Sequence, residues 1–196
     1  VVLADDTADP ATVAADLLAQ AEHDVEALPI LVTPSARLAD AVDVELAAQL
    51  AVLPTAATAR AAVAQGYTVL VDDLDQAVEA CDRIAPEHLE VDCQDADRVA
   101  ARLKHWGGLF VGDAAAEVLG DYGAGPNHTL PTGGTARYSG GLSVFTFLRV
   151  RTWMRIDDRQ AAAALVTDAT RLARLEGLEA HARAAARRQP TDRSAR

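Results

Sequence analysis

Residues 29–71 read PILVTPSARLADAVDVELAAQLAVLPTAATARAAVAQGYTVLV. A short apolar run, PILVT, gives way at Thr33-Pro34 to helical periodicity over 34–53 and again over 55–65. Gly66 then ends the helical pattern, and a second apolar run, YTVLV, follows at 67–71. Apolar runs of this length bounded by turn residues mark strands, the more apolar of them covered on both faces, and the segments between them mark the covering helices. The alternation continues outward. Residues 1–4, 89–93 and 109–112 read as further strands, and 11–23, 73–84 and 95–106 as helices. Asp9-Pro10 and Thr33-Pro34 place a cap-type residue before an early proline, while Gly66 and Gly107 fall where helices should end. Strand and helix in series predict an α/β layered fold.

Beyond the turn-rich stretch GDYGAGPNHTLPTGG at 120–134 the strand signal nearly vanishes. Residues 143–150 and 158–188 read as helical, with a short extended piece at 152–156 and a break at Gly177. The expected organisation is an α/β domain over 1–136 followed by a helical tail over 137–196. A chain of 196 residues, half of them apolar, is long enough for one buried core with such an appendage.

Charge and composition exclude several partners. The net charge is −11, and no stripe of Lys and Arg is interleaved with aromatics, which argues against a nucleic-acid backbone. Basic residues do concentrate from Arg171 to Arg196, but Glu176 and Glu179 lie among them, as on a solvated helix face. No apolar run approaches the roughly 18 to 20 residues of a membrane span, and no basic segment followed by an apolar core opens the chain. Cys81 and Cys93 show no C-x-x-C spacing and fit reduced thiols in a cytoplasmic protein. The chain begins VVLADD, without Met, in a buried strand, as a piece of a longer polypeptide would.

Four histidines have polar companions. Gln20 and His23, three apart near a helix end, share one face; the alternative is a histidine interacting with the helix dipole. Glu87 and His88 follow Pro86 and precede a strand. They offer a carboxylate and an imidazole to one small volume, as acid/base chemistry near neutral pH requires, or else are exposed connector residues. Asp121 and His128 flank a glycine-rich loop, which is either a site or a joint between domain and tail. Glu176 and His181, five apart around Gly177, are no natural helix-surface pair and read as solvent-facing. His105, beside Trp106, reads as structural. His23, Asp121 and His181, with Gln20 as an oxygen donor, make a mixed N/O set that suits Zn²⁺ or a neighbouring divalent ion. Spacing leads no further than a metal-assisted acid/base site.

AQAEHD, APEHLEV and above all GDYGAGPNHTLPTGGTARYSGGLSVFTFL resemble histidinol dehydrogenase, across essentially the whole chain. The resemblance implies a partial Rossmann-like sheet with helices on both faces and an extended helical tail, the chain corresponding to about the C-terminal half of a family member. It implies zinc-dependent oxidation of L-histidinol through L-histidinaldehyde to L-histidine, with two NAD⁺ reduced in succession. By the resemblance, Gln20, His23, Asp121 and His181 hold the metal, with His181 given by the partner subunit of a homodimer that exchanges tails. His88 is then the general base, Glu87 activates the hydrating water, and Glu176 and His128 meet the substrate.

The chain departs from the family pattern in places. Gly140-Gly141 stands where Ser-Gly is commoner, and VFTF lacks an acidic residue often found there. No G-x-G-x-x-G is present, so the dinucleotide contacts are expected in the absent half and this polypeptide alone is expected to be nearly inactive. Glu87 and His88 precede a strand, whereas open α/β sheets bind ligands beyond strand C-terminal ends; an antiparallel strand at 89–93 would reconcile the two. Two competing readings are a zinc hydrolase using Glu87 as base, and a non-catalytic remnant that dimerises or binds a small imidazole.

Overall fold

The computed structural model describes residues 1–190; 191–196, the end of the expected tail with Arg193 and Arg196, lie outside the described residues. The chain divides into two units, Val1–Leu148 and Arg149–Arg196. The first unit begins with β1 (Val2–Ala4), α1 (Pro10–Ala21), β2 (Ile30–Thr33), α2 (Ala36–Val52), α3 (Ala56–Val63) and β3 (Tyr67–Leu70). It continues with α4 (Leu74–Ile84), β4 (His88–Asp92), α5 (Ala96–Ala100), β5 (Gly108–Val111) and α6 (Glu117–Asp121).

The five strands form one parallel sheet in the order β3-β2-β1-β4-β5. The chain winds from β1 outward to β3, then returns through α4 to the far side of β1 for β4 and β5, as in a doubly wound α/β fold. The expected antiparallel reversal at 89–93 does not occur: β4 runs parallel to both β1 and β5. Because α4 carries the chain back before β4 starts, Glu87 and His88 stand at the N-terminal edge of the sheet.

Alternate residues of the inner strands feed two cores, as a pleat with period two requires. Leu3, Val32, Leu89 and Val91 pack with Ala77, Val78 and Cys81 of α4 and with Val99 of α5. Val2, Ala4 and Leu31 pack on the other face with Val13, Ala14 and Leu17 of α1 and Leu38 and Val42 of α2. β3 is an edge strand and is largely exposed, so only the inner runs are covered on both faces.

Local chemistry sets the element ends. Asp9 caps α1 by accepting from the Thr12 N–H at 3.1 Å, with Pro10 as the first helical residue. The cap of α2 is Ser35, accepting from Leu38 at 3.2 Å, so the expected Thr33-Pro34 start lies just outside the helix. The helix expected over 95–106 stops after Ala100, because the Asp82 carboxylate captures the N–H groups of Lys104 and His105 at 2.8 and 3.1 Å.

Residues 143–150 contain only a 3-10 turn, Val144–Phe147, in place of the expected helix, and no strand forms at 152–156. Their β-branched and aromatic side chains favour neither a long helix nor an unpaired strand. The first unit nevertheless extends past the expected boundary at 136, because Leu142 N–H donates to Thr129 O at 2.8 Å and ties this segment back. The second unit holds α7 (Ala163–Leu175) and α8 (Glu179–Ala186), packed as a hairpin. Gly177, at φ +77°, supports the turn: Leu178 N–H donates to Ala173 O at 2.7 Å and Gly177 N–H to Arg174 O at 3.0 Å.

Leu3 is fully buried in the central strand. Leu3→Ala is expected to cost about 2–5 kcal/mol, read as a lower midpoint in urea denaturation with an unchanged slope.

Candidate active site at the N-terminal edge of the sheet

Helix α4 ends at Ala85, which adopts the left-handed conformation (φ 50°, ψ 63°) and donates its N–H to Cys81 O. Pro86 follows, and the chain turns sharply so that Glu87 and His88 reach the sheet edge beside the start of β1. Val1 N lies against this junction, 3.0 Å from Gln20 Oε1 and 2.9 Å from His88 O. Gly107 and Gly108 close it from β5, donating N–H groups to Pro86 O and Glu87 O at 2.9 and 2.7 Å. A Cβ at Gly107 would meet Glu87 O at 2.5 Å, so only glycine fits there.

His23 follows the end of α1, and its Nε2 lies 4.0 Å from Asp121 Oδ2 at the end of α6. Gln20, His23, Glu87, His88, Asp121 and His128 all line one cavity of about 730 Å³. Six of the eight residues singled out from the sequence therefore meet in one place. Glu176 and His181 belong to the second unit and are exposed, Glu176 ending α7 and His181 lying in α8. A neighbouring cavity of about 220 Å³ shares His88, Asp121 and His128 and runs under Leu130 and Leu142.

Two carboxylates of this region escaped the sequence reading. Glu90 and Glu117 are buried, at 5% and 4% exposure, and Glu117 N–H donates to Glu90 Oε1 at 3.0 Å. Glu117 Oε1 in turn lies 3.6 Å from His88 Nδ1. The signals were present: HLEVD alternates polar and apolar residues in a strand with partners on both sides, which buries the polar face. The i,i+4 spacing of Glu117 and Asp121 likewise puts both on one helix face. The glycines of this stretch serve different purposes. Gly123 and Gly125 carry positive φ, whereas Gly120 is helical and needed for room, since a Cβ there would meet Phe110 Cε1 at 2.7 Å.

Burial dominates the electrostatics. It pushes Glu90 up to about 8, reinforced by the charge of Asp16, and Glu117 up to about 7. Burial also raises Glu87, and it pushes His88 down to about 4. At neutral pH His88 is thus an unprotonated imidazole, and its Nε2 is buried without a protein partner.

Donor atoms of His23, Glu117 and Asp121 lie within 4.8 Å of one another, close enough to share one metal ion. Gln20 is at hand, but its Oε1 accepts from Val1 and its buried Nε2 has no partner. A dinucleotide fits less well. In the β1–α1 loop, where a Rossmann fold carries its glycine-rich phosphate turn, this chain has Asp5, Asp6 and Asp9. The adjoining crevice at the C-terminal strand ends adds Asp92, Asp95, Asp97 and Asp113.

A family model described as histidinol dehydrogenase matches residues 1–189. The chain belongs to the histidinol dehydrogenase family. It is 54% identical over 187 residues to the histidinol dehydrogenase of Nitratidesulfovibrio vulgaris, covering 95% of this chain and 43% of that one. It is 58% identical over 150 residues to that of Nocardia farcinica, covering 76% and 34%. The crystal structure of histidinol dehydrogenase from Elizabethkingia anophelis aligns with a TM-score of 0.89 at 32% identity, over 95% of this chain and 43% of that one. The chain spans less than half the length of these histidinol dehydrogenases.

Two outcomes follow from the geometry. Gly107→Ala is expected to cost about 1–3 kcal/mol of stability in denaturant titration, because the obstructing atom is backbone rather than a movable side chain. For Glu90, a folded-state value raised from 4.5 to about 8 means that the unfolded chain binds fewer protons across that window, so its contribution weakens as pH rises. Glu90→Gln is therefore expected to gain stability relative to the wild-type chain between pH 5 and pH 8 in paired urea titrations. A difference independent of pH would contradict the assignment.

Proposed function

We propose that this chain supplies the metal-binding and acid/base half of a histidinol dehydrogenase site, acting in the last steps of histidine biosynthesis. The reaction is the oxidation of L-histidinol through L-histidinaldehyde to L-histidine, with NAD as the hydride acceptor. The observation that carries this reading is the convergence of His23, Glu87, His88, Asp121 and His128 on one cavity in a chain of this family.

Gln20, His23 and Asp121 would hold Zn²⁺, with His181 contributed by the partner subunit of a homodimer that exchanges its C-terminal tails. The closeness of His23 Nε2 and Asp121 Oδ2 supports this, and Gln20 would have to turn its carbonyl oxygen from Val1 into the cavity. Bound there, the ion supplies an electrophilic anchor for the imidazole and amino nitrogens of the substrate. The acidic β1–α1 loop does not fit a pyrophosphate, so the dinucleotide site belongs outside these residues.

Oxidation of the alcohol removes a hydride and a proton, and the proton is the share of this chain. His88, neutral at pH 7, offers Nε2 to the hydroxyl proton of histidinol. Glu87, at the cavity wall, polarises the water that adds to the aldehyde, and His88 then takes a proton from the resulting hydrate. His128 lines the cavity and Glu176 reaches the substrate from the exchanged tail. No described helix is long and apolar enough to cross a membrane, and a cytoplasmic location forms part of the proposal.

Isothermal titration is expected to show zinc-dependent binding of L-histidinol by the 196-residue chain, while NADH formation by it stays near background. Absence of zinc-dependent binding would overturn the reading, and robust NADH formation would overturn the external dinucleotide site. In a chain extended to the length of its relatives, His88→Asn is expected to lower turnover by roughly 10²–10⁴-fold with histidinol binding retained.

A further inference from the structure

The buried polar atoms around β4 contain one arrangement that the proposed roles leave unused. His88 and Glu90 lie two apart on the same face of β4, and Glu117 begins α6 against that face. Glu90 fixes the backbone of Glu117 through the 3.0 Å bond from its N–H. Glu117 Oε1 then faces His88 Nδ1 at 3.6 Å, and Glu117 Oε2 is buried with no hydrogen-bond partner. The ring of His88 is confined on another side by Phe110, whose centroid is 6.2 Å away at an interplanar angle of 31°. Phe110 is itself held where Gly108 and Gly120 leave it room.

A buried carboxylate without a donor is costly, by about 1–3 kcal/mol or more. The donor placed to relieve it is an N–H on His88 Nδ1. The 3.6 Å separation exceeds a hydrogen bond, and the terminal torsion of Glu117 is the soft one across which the two groups would close. With the proton on Nδ1, the other nitrogen is left bare. That nitrogen, Nε2, is the buried atom of the ring without a protein partner.

We propose that Glu117 is the positioning residue for His88: its carboxylate selects the Nδ1–H tautomer and holds the ring so that Nε2 faces the cavity as an unprotonated base. The use of that base rests on the histidinol reading; the tautomer does not. The logic is that of a base oriented by a third group, here supplied by a helix start clamped to the strand that carries the base. Glu117 also lies close to His23 and Asp121, so a role as metal ligand is the competing assignment.

Long-range ¹H–¹⁵N correlation NMR of the 196-residue chain at pH 8 tests the proposal directly. His88 is expected to carry its proton on Nδ1. Glu117→Gln, which keeps an acceptor oxygen, is expected to retain that tautomer. Glu117→Leu is expected to shift His88 toward the Nε2–H form that free imidazole side chains favour. An Nε2–H form in the wild-type chain would overturn the proposal whether or not the variants fold. An unchanged Nδ1–H form in a folded Glu117→Leu, with zinc affinity lost, would overturn it in favour of a ligand role. Zinc-dependent histidinol binding by the wild-type chain is unaffected by either result, so this inference and the functional reading fail separately.

Discussion

The hydrogen bond from Glu117 N–H to Glu90 Oε1 is the constraint on which the site's geometry depends. It joins a central strand to the short helix α6, which has only five residues and no side-chain cap of its own. Helices this short have little intrinsic stability, so a bond at the first residue largely decides where the helix sits. Through it β4 places four groups at once: His88 and Glu90 by the strand pleat, Glu117 and Asp121 by the helix repeat. The carboxylate that makes the bond is itself buried beside Asp16. The polar pairing specifies position where an apolar core would only supply cohesion.

The orientation of the helices explains why chemistry gathers at the N-terminal edge of this sheet. In a parallel sheet with returning helices, that edge collects helix C-termini, whose dipoles favour positive charge. α1 ends beside Gln20 and His23, and α4 ends just before Glu87 and His88. A divalent cation, or a substrate carrying an ammonium group, is suited to such a place. The opposite edge collects helix N-termini, which elsewhere bind phosphate. Here Asp9 caps α1 with its own carboxylate and further aspartates surround it, so that edge is closed to anions.

Much of this was legible in the amino-acid sequence, and the exceptions have physical causes. The five strands and the helices between them stand out because each buried run is continuous and each crossover has room for a helix. The direction of the strand after His88 was not legible, since periodicity carries no information about polarity. The capture of Lys104 and His105 by Asp82 is a tertiary contact that shortens α5 against its local pattern. Residues 143–162, read in part as helical, fold without regular elements beyond one 3-10 turn. The motifs quoted for the family marked Gln20, His23, Glu87, His88, Asp121 and His128 as one set, and the fold brings these six to one cavity. Glu90 and Glu117 were hidden because a carboxylate in a strand or on a short helix ordinarily points to solvent.

The account stands on the claim that this edge, rather than the acidic crevice at the other end of the strands, is built for a metal ion. Zinc-edge anomalous diffraction from crystals of the chain grown with Zn²⁺ measures that directly. The account predicts a single strong peak between His23 and Asp121. A peak among Asp92, Asp95 and Asp113 with none at His23 would contradict it.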